Sequence, residues 1–297
     1  MTQIVPKLRK LLYWVMPKLL DFSDYGNTIS RTHALEVQVT ELQQRIRYRD
    51  EIDLYYSQLL SIIEPLKTDL NLLRIGSKFD GGYHVPNGFE KNMNWITIGL
   101  GYNTEFENEL LSRGCAVNSF DHTVNSRPKK LSKGVKWHDM GWGIPKKQSK
   151  LRSLNDIKSI SALSPKSPWC FKFDIEGSEW EVIDEVNTII DWPQIICCEL
   201  HNLRWENDSK KNHLKLQKLE TLFTIYKCVY INGNNFSANM VSRFVDLHDI
   251  VEFTLVREEL FVKMAREMFS KQKEFESANN PNSINRPKTI TRRVAET

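Results

Sequence analysis

Two acidic residues that follow a short apolar run are the first candidates for chemistry. The run Trp169–Phe173 is typical of a buried strand, and Asp174, Glu176 and Gly177 come directly after it. In an open α/β sheet, ligands bind just past the carboxyl ends of the strands. Placing carboxylates there is costly unless something uses them. The alternative is that these acids cap the helix predicted over residues 179–190, because a helix N-terminus favours negative charge.

A carboxylate and an imidazole end the next apolar run. Glu199 and His201 close the strand predicted over residues 194–200. If the two strands are neighbours, these side chains and Asp174 converge on one pocket. A carboxylate beside an imidazole suits general-base catalysis, and the same set can hold a divalent metal ion. We therefore predict catalytic roles for Asp174, Glu199 and His201, with a metal site on these three residues as a variant.

A glycine turn between a predicted strand and a predicted helix offers a place for a ligand. Gly99 and Gly101 allow close approach to the backbone, and the helix that follows offers free N–H groups. Asp121 lies about 20 residues further on, where a carboxylate commonly holds the ribose hydroxyls of a nucleoside cofactor. Asn103 and Thr104 replace the third glycine of the dinucleotide fingerprint. The alternative is an ordinary tight strand–helix turn.

A polar turn precedes the first predicted strand. Asp80, Gly81 and Gly82 form a turn signal. The polar side chains of Arg74, Asp80 and Tyr83 are placed to cover a site from above. The alternative is a β-hairpin that leads into the domain.

Strands alternate with helices from about residue 67, which predicts a mostly parallel sheet. The predicted strands are 95–100, 116–121, 135–138, 169–173, 194–200, 227–231 and 251–256. The predicted helices are 105–113, 150–160, 179–190 and 212–224. We expect the last strand to be an antiparallel edge. The domain predictions are a helical arm over 1–66, a catalytic domain over 67–265 and a polar, disordered tail over 266–297.

The arm contains two helical patterns. Residues 1–20 are basic and amphipathic, which is typical of a helix that lies in a membrane interface or packs on protein. Residues 34–64 carry a heptad-like seam, which Arg49 and Asp53 interrupt, so a short dimerisation helix and a helical hairpin are both open. The apolar residues of the seam are Leu35, Val39, Leu42 and Ile46.

Composition sets further bounds. The 297 residues carry a net charge of +4 from 41 basic and 37 acidic side chains, and no basic–aromatic stripe predicts a nucleic-acid partner. Four of the five cysteines lie in apolar runs, which predicts buried free thiols rather than a disulfide framework. No apolar run approaches the ~20 residues that span a bilayer.

These pieces, in this order, resemble the FkbM-type S-adenosylmethionine-dependent methyltransferases, in the subgroup with a DGGY segment. The match runs over roughly residues 72–258. Its most specific parts are the segment 172–179, similar to K-x-D-x-E-G-x-E, and the segment 74–86. Further matches are Phe106-Glu107, Asp121-His122-Thr123, Glu199-Leu200-His201 and Asn234-Asn235.

The resemblance implies a class I methyltransferase fold, a Rossmann-like α/β architecture whose seven-stranded sheet ends in an antiparallel strand, here with an N-terminal helical extension. The implied S-adenosylmethionine contacts are Gly99, Gly101, Asn103, Phe106, Glu107, Asp121, His122 and Asp174. The implied acceptor contacts are Arg74, Asp80, Tyr83, Glu176, Asn234 and Asn235. Two positions depart from the pattern: Thr97 stands where an acid is usual, and Asn232 where the subgroup often has His.

The function predicted on this basis is O-methylation of a glycan hydroxyl, on a bacterial surface polysaccharide or its lipid-linked precursor. His201 is the expected base, assisted by Asp174 or Glu199. The expected location is the cytoplasm, with attachment to the inner face of the cell membrane through residues 1–20 as an alternative. Residues 34–64 are the expected homo-oligomer contact. The competing hypothesis is a non-catalytic oligomeric scaffold with a degenerate methyltransferase fold; a dehydrogenase is disfavoured because the chain has one glycine turn.

Overall fold

The computed structural model describes residues 25–66, 68, 70–163, 167–189, 191–234, 239–241 and 246–264. The predicted membrane-surface helix 1–20, the predicted tail 266–297 and Asn235 lie outside these residues. Within the described chain, no helix combines the length and apolarity needed to cross a bilayer.

The elements alternate along the chain as the apolar runs predict. The helices are α1 (Tyr25–Ile63), α2 (Glu105–Ser112), α3 (Leu154–Ile160), α4 (Glu179–Val182), α5 (Asp184–Thr188) and α6 (Ser209–Ile225). The strands are β1 (Leu72–Ile75), β2 (Tyr83–Pro86), β3 (Asn94–Ile98), β4 (Ala116–Phe120), β5 (Lys136–His138), β6 (Gly141–Trp142), β7 (Leu151–Arg152), β8 (Trp169–Phe173), β9 (Ile195–Leu200), β10 (Tyr226–Gly233), β11 (Asn239–Val241), β12 (Asp246–His248) and β13 (Val251–Arg257). Helical backbone follows at 258–264.

A mixed seven-stranded sheet forms the centre, in the order β10-β13-β9-β8-β3-β4-β5. The five strands from β9 to β5 are parallel, and β13 is antiparallel to both of its neighbours. The antiparallel last strand is thus confirmed, but its predicted place at the edge is wrong, because β13 lies between β9 and β10. Burial explains this order: the first six residues of β13 are buried, whereas β10 is half-buried along much of its length and suits an edge.

The parallel strands are buried on both faces. All five residues of β8 and all six of β9 are buried, as expected of a parallel sheet that is covered on both sides. Aromatic rings pack edge to face against the sheet, for example Trp142 on Phe173 with centroids 5.2 Å apart. This contact packs Trp142 against the carboxyl end of β8, directly before Asp174.

Local signals set the helix boundaries. The predicted helix 150–160 begins only at Leu154, because Ser153 and Asp156 form a capping box at its N-terminus. The predicted helix 179–190 is two short helices, α4 and α5, with Ile183 between them. The hairpin alternative for the polar turn is confirmed, since β1 and β2 pair antiparallel.

The chain divides into two compact units. The first is Met1–Ser57 with Ser242–Phe244, and it contains most of α1; the second is Gln58–Val241 with Val245–Thr297, and it contains the sheet. In the first unit, the apolar seam of α1 is exposed, with Leu35, Val39, Leu42 and Ile46 each between 42% and 59% accessible. In the second, all five cysteines are buried free thiols, as predicted.

Candidate active site at the carboxyl ends of the strands

A cavity of about 390 Å³ opens at the carboxyl ends of β3, β4 and β8. The turns that follow these strands line it, as does part of β6. The predicted site residues in its lining are Asp80, Gly99, Gly101, Asn103, Phe106, Glu107, Asp121, His122, Asp174 and Glu176. The structure places the other described candidates behind this lining or beside it: Arg74, Tyr83, Glu199, His201 and Asn234. All eight predicted cofactor residues thus line one cavity.

Gly99 is required by the close approach of two strands. Its φ is +76°, and a Cβ there would lie 1.5 Å from the carbonyl oxygen of Asp174. Gly101 also has a positive φ, +57°, but a Cβ there would meet open space. The first glycine is therefore a packing requirement, whereas the second is set by the turn conformation alone.

Asp121 braces this glycine turn. Its Oδ2 accepts the N–H of Gly101 at 2.7 Å, and its Oδ1 accepts the N–H and the hydroxyl of Thr123 at 2.7 and 2.6 Å. Burial works to raise the pKa of the carboxyl, but these donors outweigh it and hold the pKa below its ordinary value. Asp121 is thus ionised, and a ribose hydroxyl would share oxygens that the loop already uses.

Glu107 is a buried acid on α2 that faces the same cavity. It is 1% accessible, and its Oε2 has no hydrogen-bond partner in the part of the chain that the structure describes. Burial raises the pKa of this carboxyl, against the lowering effect of Lys172. Glu107 also lies beside Thr97. Thr97, near the end of β3, is not acidic, but Glu107 on helix α2 places a carboxyl group beside it.

Lys172 is a site residue that sequence reasoning missed. Its Nζ donates to the carbonyl of Gly99 at 2.6 Å and lies 5.5 Å from the centre of the Tyr83 ring. It is 4% accessible, so it places a buried cation at the cavity. A lysine inside an otherwise apolar and aromatic strand was the signal, because lysine is rarely buried without a partner.

Asp174 links the cavity to a polar cluster behind it. Its N–H donates to the carbonyl of Ile98 at 3.0 Å, which continues the β3–β8 pairing. Its Oδ2 lies 3.5 Å from the hydroxyl of Tyr83, a weak contact, and its buried Oδ1 has no partner among the residues described. Burial raises the pKa of Asp174, and Lys172 works against that shift.

Glu179 organises the turn after β8. It is fully buried, and its Oε1 accepts the N–H groups of Ile175 and Gly177 at 3.2 Å each. The same oxygen lies 3.1 Å from Nδ1 of His201. Both donors lie in the turn before α4, and no side chain among the described residues caps the helix itself, so Glu179 stabilises the turn. Glu176, by contrast, points outward with a φ of +56° and a side chain that is 86% accessible.

His201 stands among carboxylates. Its Nε2 lies 3.4 Å from an oxygen of Glu176 and 3.4 Å from one of Glu199. Burial lowers the pKa of the imidazole, but Glu179, Asp174 and Glu199 raise it to about 9. Burial, together with the negative charge of Asp174, raises the pKa of Glu199 to about 8. Both groups therefore bind a proton more tightly than they would when free in water.

Two asparagines complete the far side of this cluster. Asn234 donates from Nδ2 to Oε1 of Glu199 at 3.2 Å. Glu252 lies opposite Glu199 across the β9–β13 pair and accepts from Nδ2 of Asn232 at 3.2 Å. Asn232, at the position that departs from the family pattern, thus holds a buried acid.

The predicted acceptor residues near the hairpin have structural contacts of their own. Arg74 donates to the carbonyls of Ser77 and Phe79, at 2.8 and 2.5 Å, and so holds the turn together. Asp80 lines the cavity, and its carbonyl accepts from Nδ2 of Asn103 at 2.8 Å. The hairpin is therefore tied to the glycine turn.

Aromatic side chains make up part of the cavity wall. Phe106 packs edge to face on Tyr83, with ring centroids 5.5 Å apart. The exposed ring of His122 and the buried Trp142 also line the cavity. Trp142 donates from Nε1 to Glu185 at 3.3 Å. Sequence reasoning missed Trp142, because a two-residue strand leaves no periodic signal.

Comparisons with known proteins are sparse. No family model matches the sequence, and no curated protein matches it significantly. Among solved structures, the fibrillarin pre-rRNA processing protein of Methanococcus jannaschii is 10% identical with a TM-score of 0.35, over 66% of this chain and 86% of that one.

Two proteins named as hemolysins are similar to the same degree. The one from Lactococcus lactis is 10% identical with a TM-score of 0.37, over 57% of this chain and 79% of that one. The one from Streptococcus thermophilus is 13% identical with a TM-score of 0.37, over 67% of this chain and 79% of that one. Likeness at this level identifies neither a family nor a function.

Proposed function

We propose that this chain is an S-adenosylmethionine-dependent O-methyltransferase of the class I fold. The observation that carries the proposal is the buried Oε2 of Glu107, which has no hydrogen-bond partner among the described residues, in a cavity that also contains the Gly99 turn and the ionised Asp121. S-Adenosylmethionine offers an ammonium, a sulfonium and two ribose hydroxyls, which suit acidic partners. A dinucleotide would bring an anionic pyrophosphate to the same acids, which is unfavourable.

Different cavity residues bind different parts of the cofactor. Glu107 accepts from the ammonium group, which takes the place of the acid missing at Thr97. Asp121 accepts from the ribose hydroxyls through lone pairs that its loop contacts leave available. Gly99 and Gly101 have no side chain, so the cofactor can lie directly against the backbone. Asp174 stands at the inner end of the cavity, near the methyl group to be transferred.

The bound cofactor supplies an activated methyl group, and the protein aligns it with the acceptor. The sulfur–methyl bond breaks as the oxygen–methyl bond forms, and the acceptor hydroxyl loses its proton to the protein. Asp174, Glu199 and His201 form the group that takes this proton, since Asp174 lines the cavity and the others lie directly behind it.

The acceptor class is proposed from the family resemblance. A hydroxyl of a glycan, in a surface polysaccharide or its lipid-linked precursor, is the substrate we infer. Arg74, Asp80, Tyr83, Glu176, Asn234 and Asn235 stay the proposed acceptor contacts. Residues 1–20 are proposed to bring the enzyme to a membrane surface where lipid-linked acceptors lie, in an otherwise cytoplasmic protein.

We propose that the exposed seam of α1 pairs with a second copy of itself, antiparallel. In a parallel pair Arg49 and Asp53 would face their own copies, which sets like charges together. An antiparallel pair centred near residue 40 places Leu35 opposite Ile46 and Val39 opposite Leu42. The same register places Arg49 opposite Thr32 of the second copy, and the like-charge contacts disappear.

Calorimetric titration of the full-length protein with S-adenosylhomocysteine tests the cofactor assignment. We expect one binding event in wild-type protein and a loss of at least about tenfold in affinity for Glu107→Gln. NAD⁺ serves as the comparison ligand and is expected not to bind. Binding of NAD⁺ but not of S-adenosylhomocysteine would refute the proposal, and binding of neither would favour the scaffold hypothesis.

A further inference from the structure

Three side chains behind the cavity have the spacing of a metal site. Asp174 follows β8, Glu179 opens α4 and His201 follows β9. Each offers one ligand atom, and these three atoms lie within 4.8 Å of one another. The arrangement joins one imidazole nitrogen and two carboxylate oxygens at the ends of two adjacent strands.

Unpartnered oxygens in this cluster point to a missing cation. Glu179 is fully buried, and its Oε2 has no hydrogen-bond partner within the described residues. Oδ1 of Asp174 is also buried and lacks a partner there. A buried carboxylate oxygen without a partner is unfavourable, because it has lost its hydration without gaining a hydrogen bond. Two such oxygens in one cluster are explained if a positive ion lies between them.

Backbone N–H groups and further carboxylates surround the three side chains and hold them in place. Two backbone N–H groups fix Oε1 of Glu179, which leaves Oε2 for another partner. Nε2 of His201 lies 3.4 Å from Glu199 and from Glu176. Metal-bound histidines usually donate their other ring N–H to a carboxylate, which fixes the tautomer and the ring orientation. His201 meets this condition if Nδ1 binds the ion.

We propose that Asp174, Glu179 and His201 bind a divalent transition-metal ion. One nitrogen and two carboxylate oxygens suit Zn²⁺ or Mn²⁺ better than Ca²⁺, which prefers oxygen alone. Ligand bonds of roughly 2.0–2.2 Å require the three ligand atoms to close on the ion by about 1 Å. The contact between Oε1 of Glu179 and Nδ1 of His201 gives way as Nδ1 and Oε2 of Glu179 each bind the ion.

The site has a role in methyl transfer, and this part rests on the proposed function. Three protein ligands leave positions open for an incoming group, as in catalytic metal sites. An ion held by these residues would make an acceptor hydroxyl bound to it more acidic. Its proton passes to Glu199, which lies on the other side of His201 and is not a ligand.

Binding of Mn²⁺ to chelator-treated, full-length protein tests the site without any cofactor or acceptor. We expect one bound ion per chain by electron paramagnetic resonance and titration calorimetry, with Zn²⁺ competing for it. Asp174→Asn and His201→Asn are each expected to weaken binding by at least about tenfold. Glu107→Gln is the matched control, since it also removes a buried carboxylate with an unpartnered oxygen, and it should bind Mn²⁺ as wild type does.

Several outcomes would overturn the proposal. They are the absence of Mn²⁺ and Zn²⁺ binding in wild-type protein, unchanged binding in Asp174→Asn and His201→Asn variants that melt as wild type does, and equal loss in Glu107→Gln. Failure of the proposed function looks different: the ion binds, but S-adenosylhomocysteine does not. Methyl transfer that proceeds at the wild-type rate after chelation would remove the ion from the reaction and leave the cofactor assignment intact.

Discussion

At the residue scale, mutation of the two glycines of the β3–α2 turn separates the effect of a steric clash from that of backbone strain. Gly99→Ala places a methyl group 1.5 Å from the carbonyl of Asp174, so the strands must separate. Gly101→Ala meets no neighbour and adds only the cost of a positive φ, about 1–2 kcal/mol. We expect Gly99→Ala to lose more than about 3 kcal/mol of unfolding free energy and to lose S-adenosylhomocysteine binding.

Urea unfolding of the two variants checks this difference. Gly101→Ala is the control for backbone strain, because it lies in the same turn and has a similar φ. Equal losses in both variants would show that strain, rather than contact between the ends of β3 and β8, makes these positions glycine.

The second residue-scale prediction concerns the pH dependence of Glu107. Burial raises the pKa of this carboxyl in the folded protein. Its contribution to stability is therefore fully present below the unfolded pKa and is lost as pH rises through the folded pKa. Ionising this buried side chain costs stability, so we expect the unfolding free energy of Glu107→Gln to rise relative to wild type as pH rises, by about 1 kcal/mol or more once the carboxyl has lost its proton.

The measurement is the difference in unfolding free energy between Glu107→Gln and wild type at pH 4 and at pH 7.5. The difference should grow with pH. The variant should also bind S-adenosylhomocysteine more weakly than wild type does. Such opposed effects are expected where a protein keeps an unfavourable group for binding. A variant that loses stability at pH 7.5 would mean that Glu107 is a structural acid.

At the element scale, the seam of α1 predicts self-association. We expect wild-type protein to be dimeric and Leu42→Glu to be monomeric in size-exclusion chromatography with light scattering. The substitution places a charge at the centre of the proposed antiparallel contact, where the opposite seam is apolar. Gln43→Glu adds the same charge one residue away, off the seam, and should stay dimeric. A monomeric wild type, or dissociation by both changes, would contradict the proposal.

The strands of the central sheet were predictable from the sequence. Their complete pairing order and the short strands outside the sheet were not. The ends of all seven predicted strands fall within two residues of the observed ends, because continuous apolar runs such as 169–173 mark strands buried on both faces. The insertion of β13 between β9 and β10 depends on pairing over long sequence separations, which no local pattern records. The short strands β6 and β7, and with them Trp142, were missed because two-residue strands leave no periodic signal.

The site was predictable to the level of which residues meet, but not of what each one contacts. The spacing correctly predicted that Asp121 lies at the glycine turn. It could not show that both oxygens of Asp121 hold the loop. It likewise placed His201 beside acids but did not reveal Glu179 as its closest partner. Side-chain partners depend on rotamers and on turns, whereas strand ends depend on composition.

At the scale of the whole molecule, ligand binding should appear as a gain in stability of the full-length protein. A ligand that binds only the folded state at 100 times its dissociation constant adds about 2.7 kcal/mol. We expect S-adenosylhomocysteine to raise the melting temperature accordingly, and NAD⁺ to leave it unchanged. Gly99→Ala should abolish the shift.

The same experiment asks whether the two units act independently. The cavity residues belong to the unit Gln58–Val241 with Val245–Thr297, and the seam of α1 belongs to the other unit. Leu42→Glu should therefore lower the mass of the particle and leave the shift caused by S-adenosylhomocysteine within about 1 °C of wild type. Differential scanning calorimetry of both proteins, with and without ligand, measures this shift in melting temperature. Loss of the shift in Leu42→Glu would show that cofactor binding depends on assembly.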